Sequence, residues 1–378
     1  MLNSNSCLII AGEKSGEEHA MSFFPELRRL CPETKFFGVG GDVLKSEGVE
    51  LLYHLKDFSS MGFSEVIGKI PFYKKALKRI EDEVILRGTK TAILIDFQGF
   101  NMRIAKRLKK LGVNVLYYVA PQAWAWKAHR AKALSENTHT LFTILPFEKE
   151  WFMSRGVKQV KSIPHPLMLH FKDELQEIPV REYRTWGEKI KILLLPGSRK
   201  FEVTSLLPSF IETINLLKKD YKVEVHLAKV GHLDQGLYNY FKDSVDVWYE
   251  DTEITKALKT AHFTLAASGT VTLSCGLFEM PTIVAYKGSL LNEFIFYNFI
   301  KYKGFISLTN IVHEQEVFPE LIQDQVDPAK MYGILKSWIE NQEIYQHKKM
   351  LLKETKKLLS GEDFSVPQYM SQVINEKK

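Results

Sequence analysis

The feature of this sequence that most constrains its fold is the alternation of short apolar runs with amphipathic stretches. Between the runs, hydrophobic residues recur at helical spacing; in Met102–Leu111, for example, Ile104, Leu108 and Leu111 share one face. Strands that alternate with helices predict an α/β fold in which helices cover a parallel sheet. The predicted strands of the first half are Cys7–Ile10, Lys35–Val39, Ala92–Ile95, Val113–Val119 and Leu141–Leu145.

A second series of the same kind predicts a second domain. Its strands are expected at Lys191–Leu195, Val223–Leu227, Val245–Trp248, Phe263–Ala266 and Thr282–Ala285. We therefore predict two doubly wound, Rossmann-like domains that face a cleft, with ligands outside the carboxyl ends of the strands. The predicted division is a first domain at 1–170, a polar linker at 171–189, a second domain at 190–345, and C-terminal helices at 346–378 that pack back on the first domain.

Composition excludes several classes of protein. Among 378 residues, 45% are hydrophobic and 25% are charged, which excludes disordered, collagen-like and coiled-coil chains. The net charge of +6 is mild and no nucleic-acid motif accompanies it, so no nucleic-acid partner is expected. Cys7, Cys31 and Cys275 have no CxxC spacing, which favours a reducing compartment over a disulfide or zinc framework. Without a secretory signal or a long apolar stretch, we expect a cytoplasmic protein, soluble or peripheral.

Two turns of the second half suit a diphosphate. Leu193–Arg199 reads LLLPGSR, a buried strand that ends in a small turn and an arginine, whose planar fork binds phosphate oxygens. The alternative is an ion pair between Arg199 and Glu202. Ala267–Thr270 reads ASGT before a predicted helix, whose first N–H groups attract anions; the alternative is a capped helix alone. Together the two turns indicate a nucleotide diphosphate.

Three features of the first half have two readings each. The AGEKSGE turn at 11–17 is either a plain turn or a loop that receives an anion or a sugar hydroxyl. Asp96 ends an apolar strand, where its carboxylate either accepts a proton from a substrate hydroxyl or anchors a helix. The two tryptophans of PQAWAW, at 121–126, more often serve packing than sugar binding.

The segment 61–79 places apolar and aromatic side chains beside lysines. That pattern suits the edge of an anionic bilayer, although a helix packed on its own core explains it slightly better. The candidate membrane contacts are Phe63, Val66, Ile67, Ile70 and Phe72.

Taken in order, these motifs resemble the lipid-A-disaccharide synthases, inverting glycosyltransferases of the GT-B fold. The resemblance spans nearly the whole chain up to the terminal helices, and PQAWAW, LPGSR and ASGT in this order are specific to it. The matching segments are AGEKSG (11–16), FFGVGGDVLKSEGVELL (36–52), MGFSEVIGKI (61–70), YYVAPQAWAWKAHR (117–130), LPFEKEWF (145–152), LLLPGSRKFEV (193–203), AASGTVTL (266–273), SLTNIV (307–312) and FPELIQ (318–323).

The resemblance implies transfer of 2,3-diacylglucosamine from its UDP derivative to 2,3-diacylglucosamine 1-phosphate. The product is a β-1,6-linked disaccharide, a precursor of the lipid A anchor of the Gram-negative outer membrane. It further implies a peripheral position on the inner face of the inner membrane, an anionic membrane surface as partner, and neither a metal nor another cofactor. A homodimer is left open.

The same resemblance assigns roles to individual positions. Asp96 matches the family's essential aspartate and is the expected catalytic base. Ser15 and Gly16 are expected on the acceptor side. The expected UDP-binding residues are Gly197, Ser198, Arg199, Ser268, Gly269, Thr270, Lys287 and Asn310.

Two positions depart from the family pattern. Gly99 stands where the family commonly has a second aspartate, and Ser274 stands where it has a glutamate suited to the ribose hydroxyls. The rival functions are another GT-B transferase that uses a soluble acceptor, a UDP-sugar epimerase, and a non-catalytic nucleotide-binding module at a membrane surface.

Overall fold

A computed structural model describes residues 5–58, 68–183, 189–288 and 304–376. The chain divides into two compact units. The described residues up to Leu169, together with those from Ser360 onward, form the first unit, and His170–Leu359 contributes the second.

The first unit is built on a parallel sheet, because its strands are apolar runs that bury both faces. The strands β1 to β7 are Ser6–Ala11, Lys35–Gly40, Glu50–His54, Thr91–Ile95, Asn114–Tyr118, Thr140–Thr143 and Val160–Ser162. In the described residues their order in the sheet is β3-β2-β1-β4-β5-β6-β7. The central strands are the most apolar: every residue of TAILI in β4 is buried.

Amphipathic helices cover this sheet. Phe100, Ile104 and Leu108 of the helix after β4 are buried in the core, while most of its lysines and arginines face solvent. The described helices α1 to α10 are Lys14–Met21, Phe24–Leu30, Asp42–Ser46, Leu55–Phe58, Ile70–Arg87, Gln98–Lys110, Ala123–Trp126, Arg130–Asn137, Glu148–Met153 and Pro166–His170.

The second unit is also built around a parallel sheet. Its strands β8 to β13 are Ile190–Leu195, Val223–Lys229, Val247–Glu250, Phe263–Ala267, Thr282–Tyr286 and Glu320–Ile322. In the described part of the chain their order is β10-β9-β8-β11-β12-β13. The described helices α11 to α17 are Lys200–Leu217, Gly236–Asn239, Ile254–Thr260, Thr270–Leu277, Leu308–His313, Pro328–Glu340 and Gln342–Leu358, and α18, Val366–Asn375, belongs to the first unit.

The predicted domain boundaries need two corrections. The stretch 171–189, predicted as a linker, is packed into the second unit where it is described: the buried Arg181 guanidinium donates to the carbonyl oxygens of Leu258, Ala261 and Phe278. The predicted return to the first domain at 346 begins later, because α17 packs on α14, α15 and α16 of the second unit. Only the chain from Ser360 returns, and α18 packs against α2.

Candidate active site

Asp96 lies at the carboxyl end of β4, in a backbone turn of unusual conformation. Asp96 (φ 46°) and Phe97 (φ 45°) are consecutive residues in the left-handed region of backbone conformation, which residues other than glycine rarely adopt. The Asp96 N–H donates to the Tyr118 carbonyl at 2.9 Å, so the turn is tied to β5. The strand end therefore presents a carboxylate through a constrained turn.

Glu13 and His19 interact electrostatically with this carboxylate, and His165 interacts in turn with His19. Burial raises the pKa of Asp96, and the charge of His19 partly offsets this rise. Burial, and after it the Asp96 charge, raises the pKa of Glu13. His19 has a pKa lowered mainly by burial, and burial together with the His19 charge lowers the pKa of His165 to about 4. A raised pKa makes a carboxylate a better proton acceptor near neutral pH.

A cavity of about 890 Å³ adjoins the turn in the first unit. Aromatic and aliphatic side chains line most of it, and three of its neighbouring rings form a cluster: Phe97 and Phe100 are stacked at 5.6 Å, and Phe58 meets Phe97 edge-on at 5.6 Å. The lining also carries four cationic side chains and one carboxyl group. Its residues are Gly12, Glu13, Lys14, Leu55, Phe58, Ile70, Tyr73, Lys74, Leu77, Phe97, Gly99, Phe100, Arg103 and Arg107.

The residues of the AGEKSG turn that line this cavity are not the two that were predicted on the acceptor side. Gly12, Glu13 and Lys14 of the AGEKSG turn belong to its lining, whereas Ser15 and Gly16 do not. Gly16 is buried in packing, since a Cβ there would lie 3.5 Å from the Ile95 carbonyl oxygen.

The candidate membrane contacts separate into different environments. Phe63, Val66 and Ile67 lie outside the described residues. Ile70 is 45% exposed and lines the cavity, whereas Phe72 packs against Phe58 at 5.2 Å and Tyr53 at 5.6 Å. The structure therefore corrects the prediction for Phe72, which packs in the aromatic cluster beside the core.

Trp124 of the PQAWAW segment is held by a buried carboxyl group. Its Nε1 donates to Glu148 at 2.9 Å, and its ring meets Phe147 edge-on at 5.1 Å. Glu148 also accepts from the N–H groups of Ile144 and Leu145 at 3.2 and 3.1 Å. Burial raises the pKa of Glu148 to about 7 in spite of these three donors. These contacts favour the packing interpretation of Trp124.

The second unit has a cavity of about 430 Å³ at the carboxyl ends of β8 and β11. Six of the predicted UDP-binding residues line it. The helix α14 begins in this lining at Thr270, and no described side chain caps it. The lining residues are Leu195, Gly197, Ser198, Arg199, Glu202, Ala228, Lys229, Val230, Asp251, Ile254, Ala267, Ser268, Gly269, Thr270, Val271 and Ser274.

The alternative interpretation of Arg199, an ion pair with Glu202, is present. Arg199 Nη1 lies 3.0 Å from Glu202 Oε1, yet 82% of the arginine side chain is exposed and within reach of a ligand. Glu202 also accepts the N–H groups of Ser198 and Arg199 at 2.9 and 3.2 Å. The N–H of Ser198, an expected UDP-binding residue, is therefore occupied by Glu202. Gly197 (φ 110°) is required in this turn, because a Cβ would lie 2.4 Å from Glu202.

Neither a membrane-spanning helix nor a metal cluster is found in these parts of the chain. None of the described helices is long and apolar enough to cross a bilayer. Within the described ranges, no group of three or more His, Cys, Asp or Glu side chains could hold a metal ion.

Comparison with known proteins decides the family. The lipid-A-disaccharide synthetase family matches residues 7–374. The chain belongs to the lipid-A-disaccharide synthetase family. A lipid-A-disaccharide synthase of Myxococcus xanthus is 32% identical over 335 residues, covering 88% of this chain and 87% of that protein. Lipid-A-disaccharide synthase 1 of Legionella pneumophila (strain Paris) is 32% identical over 329 residues, covering 85% of each chain.

Solved structures confirm the predicted fold class. A UDP-GlcNAc 2-epimerase from Neisseria meningitidis, bound to UDP-GlcNAc, superposes with a TM-score of 0.59 over 98% of this chain and 99% of that one. Its sequence is only 11% identical, so the likeness shows the GT-B fold alone.

Two residues predicted from the family pattern lie away from the second cavity. Asn310 is fully buried: its Nδ2 donates to Phe318 and Glu320, and its Oδ1 accepts the N–H groups of Val317 and Phe318, all at 2.8 Å. Its amide is thus occupied by the fold, which corrects its predicted contact with the nucleotide. Lys287 donates to Ser209 Oγ at 3.0 Å and also lies outside the lining.

The two departures from the family pattern lie in the two cavities. Gly99 leaves space in the first lining where the family commonly has an aspartate, and among the described residues only Arg103 approaches its Cβ position, at 3.8 Å. Ser274 is buried in the second lining, and the exposed Asp251 lies in the same lining. Sequence reasoning missed Asp251, Glu13, His19 and His165; of these only Glu13 lay inside a motif that it singled out.

Proposed function

We propose that this chain transfers 2,3-diacylglucosamine from UDP-2,3-diacylglucosamine to 2,3-diacylglucosamine 1-phosphate. The products are the β-1,6 lipid A disaccharide 1-phosphate and UDP. The observation that carries the proposal is the Asp96 carboxyl, with its raised pKa, in a turn whose next residue, Phe97, lines a large apolar cavity with cationic side chains, in a chain of this family.

The first cavity suits the acceptor because it combines the two properties of that molecule. Its aromatic and aliphatic walls bury acyl chains, and each buried CH₂ group contributes about 0.8 kcal/mol. Lys14, Lys74 and Arg103 can neutralise the phosphate. A soluble sugar acceptor would need neither apolar walls nor this many cations, so the cavity favours a lipid acceptor over the rival transferases.

In the proposed mechanism Asp96 accepts the proton of the acceptor hydroxyl as its oxygen attacks the anomeric carbon of the donor. The bond from that carbon to the diphosphate oxygen breaks, and UDP leaves with the electron pair. A single displacement inverts the configuration and needs no covalent sugar intermediate.

The second cavity supplies the groups that UDP needs. The start of α14 at Thr270 and the Arg199 guanidinium stabilise the leaving diphosphate, and neither a metal nor another cofactor is required. Asp251 accepts hydrogen bonds from the ribose hydroxyls. It thereby takes the role of the family's glutamate, which Ser274 replaces in this chain.

We further propose that the enzyme binds peripherally to the anionic inner face of the inner membrane. The exposed Ile70, which also lines the acceptor cavity, and the neighbouring lysines of α5 support this position. The acceptor lipid then enters the first cavity from the bilayer.

Mass spectrometry of the products tests the reaction. The purified chain, UDP-2,3-diacylglucosamine and 2,3-diacylglucosamine 1-phosphate should give the disaccharide 1-phosphate together with UDP. Release of free sugar, or an isomer with the mass of the donor, would identify a hydrolase or an epimerase instead. UDP binding without any product would identify a nucleotide-binding module.

A further inference from the structure

The Asp96–Phe97 turn is a strained conformation that needs support from outside itself. This conformation is unfavourable for each residue other than glycine, and here two such residues are adjacent. The Phe97 ring occupies the space beside Gly12, since a Cβ on Gly12 would lie 2.3 Å from a carbon of that ring.

Asn101 supplies the main polar support. It lies on α6 and is fully buried, and its Nδ2 donates to the carbonyl oxygens of Ile95 at 3.1 Å and Asp96 at 2.8 Å. Tyr117 adds a third bond, from its hydroxyl to the Asp96 carbonyl at 3.2 Å. Side chains from α6 and β5 therefore hold the peptide groups before and after Asp96 in place.

The amide oxygen of Asn101 lies in an unfavourable environment. Its Oδ1 is buried and has no hydrogen-bond partner among the described residues. An unsatisfied buried oxygen is unfavourable, so an apolar side chain of the same size would suit packing better. The presence of an amide instead of an apolar side chain is explained if the two hydrogen bonds of Nδ2 stabilise the turn.

We propose that Asn101 is a positioning residue for the transfer reaction, which holds the Asp96 turn so that the carboxylate meets the acceptor hydroxyl. This inference rests on the proposed function, in which Asp96 is the base. Asn101 acts through the backbone of Asp96 and touches no substrate.

The variant Asn101→Leu tests the inference, because leucine keeps the size and removes both donors and the unpaired oxygen. We expect kcat to fall by roughly tenfold to a hundredfold, the usual cost of misplacing a reacting group by about 1 Å. The KM for the acceptor and the affinity for UDP should stay near the wild-type values. Tyr117→Phe should lower kcat less, since both bonds of Asn101 remain.

Two comparisons separate positioning from a general loss of structure. On an Asp96→Asn background, Asn101→Leu should lower kcat no further, because no base is left to position. Thr264→Val removes a different buried oxygen, the Thr264 hydroxyl in β11 of the second unit, which also lacks a hydrogen-bond partner among the described residues, and it should leave kcat unchanged. Equal losses of kcat on the wild-type and Asp96→Asn backgrounds would overturn the inference.

A readout without turnover keeps this inference distinct from the proposed function. In an NMR titration of the Asp96 carboxyl carbon, Asn101→Leu should move the raised pKa toward its ordinary value as the turn relaxes toward solvent. An unchanged Asp96 titration together with an unchanged kcat would refute the role of Asn101. A wild-type enzyme that forms no disaccharide would refute the proposed function, whatever the titration shows.

Discussion

At the scale of single residues, Arg199 decides how the second cavity can receive a diphosphate. It is paired with Glu202, but an exposed pair of this kind contributes at most about 1 kcal/mol. A ligand with two phosphates can therefore recruit the guanidinium at small cost, while Glu202 keeps its bonds to the backbone of the turn. We therefore expect the guanidinium to exchange its ion pair with Glu202 for a phosphate contact when UDP binds.

We predict that Arg199→Ala weakens UDP binding by about 1.5–3 kcal/mol, the contribution of charge-assisted hydrogen bonds. Arg199→Lys should recover only part of this, because the ammonium lacks the planar fork. Isothermal titration calorimetry with UDP measures the change, and Arg155→Ala, an exposed arginine of the first unit, serves as the control. Unchanged UDP affinity in Arg199→Ala would place the diphosphate elsewhere.

A second prediction concerns Asp251. If its carboxylate accepts the ribose hydroxyls, wild type should bind UDP more tightly than 2′-deoxy-UDP, and Asp251→Asn should reduce that preference. Competition calorimetry with the two nucleotides measures it. Asp243→Asn is the matched control, because Asp243 is an exposed aspartate of the same unit that lies outside the cavity lining. An equal preference in Asp251→Asn and wild type would exclude the ribose contact.

At the scale of secondary-structure elements, the helices α5 and α9 place side chains of similar type in different environments. Ile70 and Phe72 are two residues apart at the start of α5, yet one is exposed at a cavity and the other packs among aromatic rings. Glu148 begins α9 and is buried, whereas Glu150, two residues later, is not. The difference in α5 can be tested by paired substitutions, and the burial of Glu148 in α9 by the pH dependence of stability.

For α5 we predict opposite effects of the same polar change. Phe72→Ser should lower the free energy of unfolding by about 2–3 kcal/mol, since it empties a packed site. Ile70→Ser should change it by about 0.5 kcal/mol or less, as expected of a surface position, but weaken sedimentation with anionic vesicles. Thermal melts and vesicle sedimentation of both variants measure these effects. Loss of vesicle binding in Phe72→Ser and loss of stability in Ile70→Ser would contradict the proposed membrane contact.

For α9 we predict a pH dependence of stability. The pKa of Glu148 is raised to about 7 in the folded protein, against an ordinary value of 4.5, so the folded state holds its proton more tightly. This contribution to stability is complete below about pH 4.5 and is lost as the pH rises through about 7. As the pH rises through this interval, the Tm of wild type should therefore fall relative to the Tm of Glu148→Gln. A constant difference would contradict a raised Glu148 pKa.

At the scale of the whole molecule, the apolar runs predicted the main strands because a parallel sheet buries both faces of each strand. The strands that were missed, β3, β7 and β13, are edge strands of the described sheets, and each of their sequences, ELLYH, VKS and ELI, has only one fully buried residue. Their place depends on neighbours in the sheet, which no local pattern contains.

The site was predictable where one segment forms it. Asp96 ends a strand, and the LPGSR and ASGT turns follow strands, so all three lie at carboxyl ends as expected. His165 could not be predicted, because its proximity to His19 exists only after the sheet has formed. Asn310 shows the converse, since sequence cannot distinguish an amide that binds a ligand from one that is saturated by the backbone.

The turnover of Asp96→Asn tests the central claim most directly. The substitution keeps the size of the side chain and removes the base, and no carboxylate stands at Gly99 to replace it. General-base assistance contributes about 10²–10⁴-fold, so disaccharide formation per folded enzyme should fall by about that factor, with the UDP affinity and the Tm near wild type. Turnover within roughly threefold of wild type, far below what a general base supplies, would contradict the assignment of Asp96 as the base.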